Sequence, residues 1–220
     1  SYNMAFILHD TGQDYISRGL LNTQLTPGSK SAIVGGCKTG KGFAFDGTVN
    51  SGLISLTTIN DNTLTMSAWI RITAQGVSNS RYAIFATSNG EQNQILFTVS
   101  DVNRLRLVVL FNDNTHDHDI CDSTDNSIQI NTWYHVAASI NKTTRLIQLY
   151  INGSRVNTIT YTNKPLQNND RFFVGRRLAD GPFKGQICNF KLYNHVLSAR
   201  EIAEDYKSLM LHYKLDKPIT

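Results

Sequence analysis

The residues best able to do chemistry sit together between positions 112 and 127. The run reads Asn-Asp-Asn-Thr-His-Asp-His-Asp-Ile-Cys-Asp-Ser-Thr-Asp-Asn-Ser and is the most polar stretch of the chain. Its candidate ligand-binding residues are Asp113, Asn114, His116, Asp117, His118 and Asp119. Carboxylate and amide oxygens suit calcium, whereas imidazoles suit zinc or nickel. The plainer reading is a hydrated loop that carries charge. No motif requires a cofactor, and calcium is the one this loop would suit. The run joins two strands and is long for a hairpin loop, and long loops are where function concentrates.

Other chemistry is weaker. A retaining glycosidase needs two carboxylates about 5 Å apart. Glu201 and Glu204 are the one close Glu pair, and they fall on a helix, where solvated surface explains them. A Ser-His-Asp set need not be adjacent in sequence, yet no nucleophile elbow accompanies any serine. Glycines at 35, 36, 40 and 42 flank Cys37, but no helical pattern follows, so a phosphate loop is excluded. Tyr82, Tyr161 and Phe183 fall near loop ends and are candidates for stacking on a sugar ring. Cys37, Cys121 and Cys188 match no zinc spacing. Three free thiols is the plainer reading; one bridge plus one free thiol is the alternative.

The elements that must position these groups are strands. Residues 132–161 hold three strands and two turns. Val136, Ala138 and Ile140 alternate with His135, Ala137 and Ser139, and Ile147, Leu149 and Ile151 alternate with Leu146, Gln148 and Tyr150. Period-two patterning marks a strand with one face on a core. Asn152-Gly153 is a hairpin signal, because a type I′ turn needs positive φ at both central residues. Asn141-Lys-Thr143 and Asn152-Gly-Ser154 match the glycosylation sequon, but their place in tight turns explains them. In residues 64–72, Leu64, Met66, Ala68, Ile70 and Ile72 share one face and Trp69 takes the other. Further strands are expected over 4–8, 43–47, 52–56, 81–87, 94–100, 104–111, 171–176 and 184–193. The one convincing helix starts near Leu197, with Ser198 and Glu201 at capping-box spacing. Residues 211–216 look like a strand after it.

Composition agrees. Asn and Thr occur 21 times each in 220 residues, Asn suiting turns and Thr suiting strands. The net charge is +4 and the pI about 9.0, with basic residues scattered rather than clustered. Nucleic-acid binding needs a clustered basic stripe and is excluded. No run is long and apolar enough to insert in a membrane. The start, Ser-Tyr-Asn-Met, lacks the basic and apolar regions of a signal peptide, so the chain is expected to begin inside a longer precursor.

Four places, in chain order, resemble one family. They are Gly-Lys-Gly-Phe-Ala-Phe-Asp-Gly at 40–47 and Leu-Thr-Met-Ser-Ala-Trp-Ile at 64–70. Then come Trp-Tyr-His-Val-Ala at 133–137 with Leu-Tyr-Ile-Asn-Gly at 149–153. Last is Phe-Lys-Gly-Gln-Ile-Cys-Asn-Phe-Lys-Leu-Tyr-Asn-His-Val-Leu-Ser at 183–198, with Glu201 and Ile202 after it. The set resembles the laminin-G-like jelly roll of the concanavalin A-like lectin/glucanase superfamily. Such a resemblance implies an all-β, antiparallel two-sheet β-sandwich with one short C-terminal helix. It places the jelly roll at residues 1–208 and a C-terminal strand, or the start of a following domain, at 209–220. Trp69 and Trp133 match the family's core tryptophans. After Phe-x-Gly-x-Ile, members often carry Asp followed by Asp or Glu; Cys188 and Asn189 stand there, so no calcium site is carried over.

The resemblance implies a non-catalytic binding or adhesion module for a glycan or cell-surface receptor. Its setting would be an extracellular, cell-surface or virion-tail protein with neighbouring domains, and a homo-oligomer fits such proteins. The alternative is a structural spacer or oligomerisation domain. A polysaccharide hydrolase or lyase is the third reading. No strand carries the glucanase pattern Glu-x-Asp-x-x-Glu.

Overall fold

Strands with one apolar face must pair into sheets, and sheets must stack, before that face leaves water. The computed structural model describes residues 4–7, 26–27, 32–35, 37, 41–56, 58–59, 63–76, 81–89, 93–111, 117–164, 166, 169–178 and 180–215. Side chains are described for all of these except 4–7, 26–27, 32–35, 41, 93 and 209–215. In chain order the strands begin with β1 (Met4–Ile7), β2 (Thr26–Pro27), β3 (Ala32–Gly35), β4 (Lys41–Asp46) and β5 (Leu53–Ser55). They continue with β6 (Thr63–Ile72), β7 (Tyr82–Ser88), β8 (Asn93–Val99), β9 (Leu105–Leu110) and β10 (His118–Asp122). The last are β11 (Tyr134–Asn141), β12 (Leu146–Ile151), β13 (Ser154–Thr160), β14 (Arg171–Val174) and β15 (Lys184–Tyr193), followed by helix α1 (Ala199–Leu215).

Among the described residues, one sheet has eight strands, in the order β13-β12-β11-β6-β15-β4-β3, with β1 also on β15. The other has seven, β10-β9-β8-β7-β14-β5-β2. Every pairing is antiparallel, as expected for a jelly roll. The meander of β11, β12 and β13 forms with Val136 opposite Ile151 and Ala138 opposite Leu149. Asn152 (φ 50°) and Gly153 (φ 78°) take the positive φ values a type I′ turn requires. The Asn152 side chain fixes the register by accepting the His135 amide at 3.0 Å. Gly153 also lies against α1, where an added Cβ would meet the Ala203 Cα at 3.2 Å.

The inner faces share one core. Leu64, Met66, Ala68, Ile70 and Ile72 of β6 meet Phe85, Phe97, Leu107 and Val109 of the opposite sheet, all essentially buried. Burying such side chains contributes about 1.5–3 kcal/mol each. Tyr82, Tyr161 and Phe183 belong to this core, at 9%, 3% and 0% exposure. They are therefore not stacking platforms: their rings plug the ends of the sandwich.

The outer face of the eight-stranded sheet is also sealed. Tyr150, Tyr193, Leu197, Ile202 and Ala137 form one cluster, and Cys37, Trp69 and Cys188 form another beneath Trp133 and Tyr206. Trp69 is buried as expected, but under α1 rather than in the inner core. The helix begins with the expected capping box. Ser198 Oγ accepts the Glu201 amide at 3.2 Å, and the Glu201 carboxylate accepts the Ser198 amide at 2.7 Å. The Ser198 hydroxyl, which donates to the Glu201 carboxylate at 2.7 Å, and then the Ser198 amide hold that carboxyl below its ordinary value.

Asp205 anchors the helix to the sheet. Its carboxylate accepts from Ser67 Oγ at 2.9 Å and His135 Nε2 at 3.3 Å, and it pairs with Lys191. Its side chain is only 9% exposed. Burial alone would push this carboxyl up, but the His135 hydrogen bond and the Lys191 charge, with the charge of His135, hold it well below the usual range.

Three expectations are corrected. Residues 211–215 continue α1 instead of forming a strand, so the helix crosses the expected boundary at 208. The alternation there resembled a strand, but Leu, Met and Lys are good helix formers and no Gly or Pro interrupts residues 199–217. Part of the polar run is itself a strand: β10 pairs with β9, placing Cys121 opposite Leu107 on the core side. A peripheral strand needs only alternate residues buried, and Cys121 suffices. Third, the cysteines are not three free thiols. Cys37 and Cys188 are bonded, with Cα atoms 6.1 Å apart, and Cys121 is free and buried. Gly42 makes room for this bridge, because an added Cβ would collide with both sulfurs. Closing a loop of 151 residues stabilises the fold by about 2–5 kcal/mol.

Two tests follow from this packing. Burial, then the neighbouring Asp122 charge, pushes the Cys121 thiol up to about 12, so the native protein should show no fast-reacting thiol. A thiol-reagent titration should then find one thiol per chain in non-reducing denaturant and three after reduction. Two or more thiols without reductant would contradict the bridge. The second test is Asp205→Asn, which leaves Lys191 buried without its counter-charge and should cost about 3–5 kcal/mol at pH 7 in urea unfolding. A carboxyl depressed in the folded state stabilises above its unfolded pKa, about 3.9, and loses that contribution as pH falls below it. The gap between Asp205→Asn and the parent should therefore shrink as pH falls below about 4. A gap independent of pH would contradict the anchor.

Candidate functional site

Of the expected ligand-binding residues, Asp113, Asn114 and His116 lie outside the described residues. Asp117, His118 and Asp119 sit where β10 begins. Asp117 pairs with Lys164 Nζ at 2.5 Å and accepts the His118 amide at 2.9 Å. Asp119 accepts the Thr162 amide at 2.5 Å. Lys164 lies 5.7 Å from the centre of the Phe111 ring, which β9 presents as it ends. These carboxylates tie the start of β10 to the segment after β13. Among the described residues, no three His, Cys, Asp or Glu side chains are grouped so as to hold a metal ion.

The outer face of the seven-stranded sheet carries groups the sequence reading missed. The register lines up Ile120, Val108, Leu96, Ala86, Phe173 and Ile54 across six strands. These residues form an apolar cluster separate from the main core. Beside them, Asp122 accepts from Arg106 Nε and Nη2, both at 2.6 Å, and from Arg104 Nη1 at 3.2 Å. Arg104 also pairs with Asp125, and Arg177 with Asp180. Arg81 has no side-chain hydrogen bond or ion pair among the described residues; burial, then the charges of Arg106 and Arg177, lower its pKa. Arg176 is structural: it donates to the carbonyls of Val49, Arg177 and Leu178 and lies 5.2 Å from the Phe173 ring centre. Arg104-x-Arg106 and Asp122 were findable, because β10 read at period two places Asp122 opposite Arg106.

A cavity of about 330 Å³ opens where the turn before β9 meets the segment between β10 and β11. Asn103, Asn126, Ile128, Gln129 and Ile130 line it. Asn103 and Asn126 both hold φ at 55°, a conformation that Asn tolerates better than most residues. The Asn126 amide donates to the Val102 carbonyl and the Ile128 amide to the Asn103 carbonyl, both at 3.0 Å, so the backbone of this wall is fixed. Asn103 is 6% exposed, and its Oδ1 is buried without a hydrogen-bond partner among the described residues.

Ser67, His135 and Asp205 cluster together, but they do not meet the arrangement for nucleophilic catalysis. Ser67 donates to Asp205 rather than to His135, so no base faces the hydroxyl. His135 is 1% exposed under α1, out of reach of a substrate. Glu201 is occupied by the helix cap, and Glu204 pairs with Arg200 at 2.8 Å, so these two are not an acid–base pair.

No curated protein matches the chain. Solved structures do. The binding domain of Paraclostridial Mosquitocidal Protein 1 is 18% identical with a TM-score of 0.72, over 94% of this chain and 52% of that one. The botulinum neurotoxin serotype G binding domain is 14% identical with a TM-score of 0.74, over 94% and 51%. A structure of botulinum neurotoxin type C is 13% identical with a TM-score of 0.74, over 94% and 51%; that toxin depends on two ganglioside molecules to enter cells. At such identities the likeness is one of fold, and this chain spans about half the length of each neighbour. The laminin G family model, described as the concanavalin A-like lectin/glucanases superfamily, matches residues 22–203. With that match over most of its length, and a two-sheet antiparallel sandwich to go with it, the chain belongs to the concanavalin A-like lectin/glucanase superfamily.

Proposed function

We propose that this domain is a non-catalytic binding module for a cell-surface glycan, carried by a multidomain protein displayed outside the cell, on a cell surface or on a virion tail. The observation behind the reading is the shared fold, which extends over 94% of this chain to binding domains of toxins. Fold likeness alone is an analogy, and two features of this chain support it. The Cys37–Cys188 bridge suits an oxidising, extracellular compartment. Ser67 with Asp205, Glu201 and Glu204, the groups nearest to a catalytic pattern, are engaged in anchoring, capping and a surface ion pair. The spacer reading drew on a strand at 211, the start of a second copy; a helix occupies 211–215, which removes that motive.

A glycan array probed with the labelled chain tests the proposal, once with calcium and once with a chelator. The expected result is saturable binding to a restricted set of glycans. A blank array under both conditions would overturn the reading.

A further inference from the structure

A guanidinium carries five N–H donors, and one that is partly withdrawn from water favours an acceptor. In the seven-stranded sheet and its turns, Arg104, Arg106, Arg171, Arg176 and Arg177 all donate to carboxylates or carbonyls. Arg81 is partly buried, and its side chain donates to no acceptor among the described residues. Register shows what stands around it. Asp122, Arg106, Thr98 and Ala83 lie side by side across β10, β9, β8 and β7. Arg81, two residues before Ala83, falls on the same outer face, because Tyr82 between them belongs to the core. Arg177 reaches this corner from the turn after β14. A Cβ on Gly181 would lie 2.8 Å from the Arg81 carbonyl oxygen and 3.1 Å from Arg177 Nε.

The neighbouring carboxylates are already engaged. Asp122 takes Nε and Nη2 of Arg106, and Asp180 takes Nε and Nη2 of Arg177. The Nη1 group of each has no acceptor among the described residues. Asp101 and Asp122 act on Arg81 only through space, and the charges of Arg106 and Arg177 oppose them. Arg81 is therefore a cation with an open fork beside two other guanidinium groups.

We infer that Arg81, flanked by Arg106 and Arg177, receives an oxyanion, the carboxylate or sulfate of an acidic sugar. Two parallel N–H donors of the Arg81 fork match two oxygens of such a group. The flanking charges add attraction, which salt weakens because the groups are partly exposed. This inference rests on the glycan-binding reading and adds the residues and the charge class of the sugar.

The test is a titration of the isotope-labelled full chain at constant ionic strength, followed by NMR of backbone amides and arginine Nε–H groups. The probes are N-acetylneuraminic acid and galactose 6-sulfate, with galactose as the neutral comparison and acetate and sulfate as bare anions. The expected result is saturable shifts at Arg81, Arg106 and Arg177 with an acidic sugar and none there with galactose; the tighter of the two acidic sugars names the group. Arg81→Met keeps the length, removes the fork and should weaken binding about tenfold, whereas Arg81→Lys keeps the charge and should weaken it less. If Arg81→Met does not fold, Asp101→Asn serves: it removes an opposing charge and should tighten binding about twofold. Equal response to galactose, or affinity unchanged in these variants, would overturn the site. Bare anions binding as tightly as the acidic sugars would mean an adventitious ion only and overturn the sugar assignment. Saturable shifts confined to another face would overturn the site and leave the glycan reading intact. No shifts with any probe would overturn the site, and the array separately decides whether the broader reading falls with it.

Discussion

The burial of β6 on both faces constrains everything else in the molecule. Its inner face supplies Leu64, Met66, Ala68, Ile70 and Ile72 to the core between the sheets. Its outer face presents Thr65, Ser67 and Trp69, each at most 1% exposed. A sandwich alone covers only the first set. The second requires another layer, and α1 provides it, with Tyr206 near the Trp69 ring and Asp205 accepting from Ser67. Thr65 completes the seal by accepting the Leu197 amide at 2.9 Å and donating to the His195 carbonyl at 2.8 Å.

Charge makes this layer specific as well as greasy. Trp69 and Tyr206 would tolerate several helix positions, because apolar contact is not directional. Asp205 does not, because its carboxylate must meet donors from three different strands: Ser67 on β6, His135 on β11 and Lys191 on β15. Any slide of the helix would strand a charge in a poorly solvated place. The bridge from Cys37 to Cys188 holds the same face beside β4, where Gly42 leaves space for it. One outer face of the sandwich is closed in this way.

Much of this was legible from the sequence. The alternation in residues 132–161 gave the meander, Asn152-Gly153 gave its turn, and Ser198 with Glu201 gave the helix start, because each signal is local. What escaped was set by distance or by weak local signal. Asp205, Ser67, His135 and Lys191 are separated by up to 138 residues, and nothing in their spacing brings them together. The bridge joins cysteines 151 residues apart. β10 hid in a polar run, since Cys121 was the one residue that had to face the core. Tyr82, Tyr161 and Phe183 looked free because they flank loops, yet they cap the core from its ends. Of the expected site, Asp117 and Asp119 turned out to serve as ties to Lys164 and Thr162. The Asn103 cavity depends on two turns meeting, which no single motif announces.

The helix-covered sheet is a rigid back, and on the other sheet the described turns on either side of β9 and β10, at 100–104 and 123–133, are fixed by backbone hydrogen bonds such as Asn103 amide to Ser100 carbonyl and Asn126 amide to Val102 carbonyl. The claim beneath this account is that α1 is an integral layer over β6. Hydrogen–deuterium exchange tests it most directly. Backbone amides of residues 201–207 should be protected together with those of β6, exchanging only when the sandwich itself opens. Fast exchange across 201–207, beside a β6 that stays protected, would mean the helix is a detachable tail and would contradict the account.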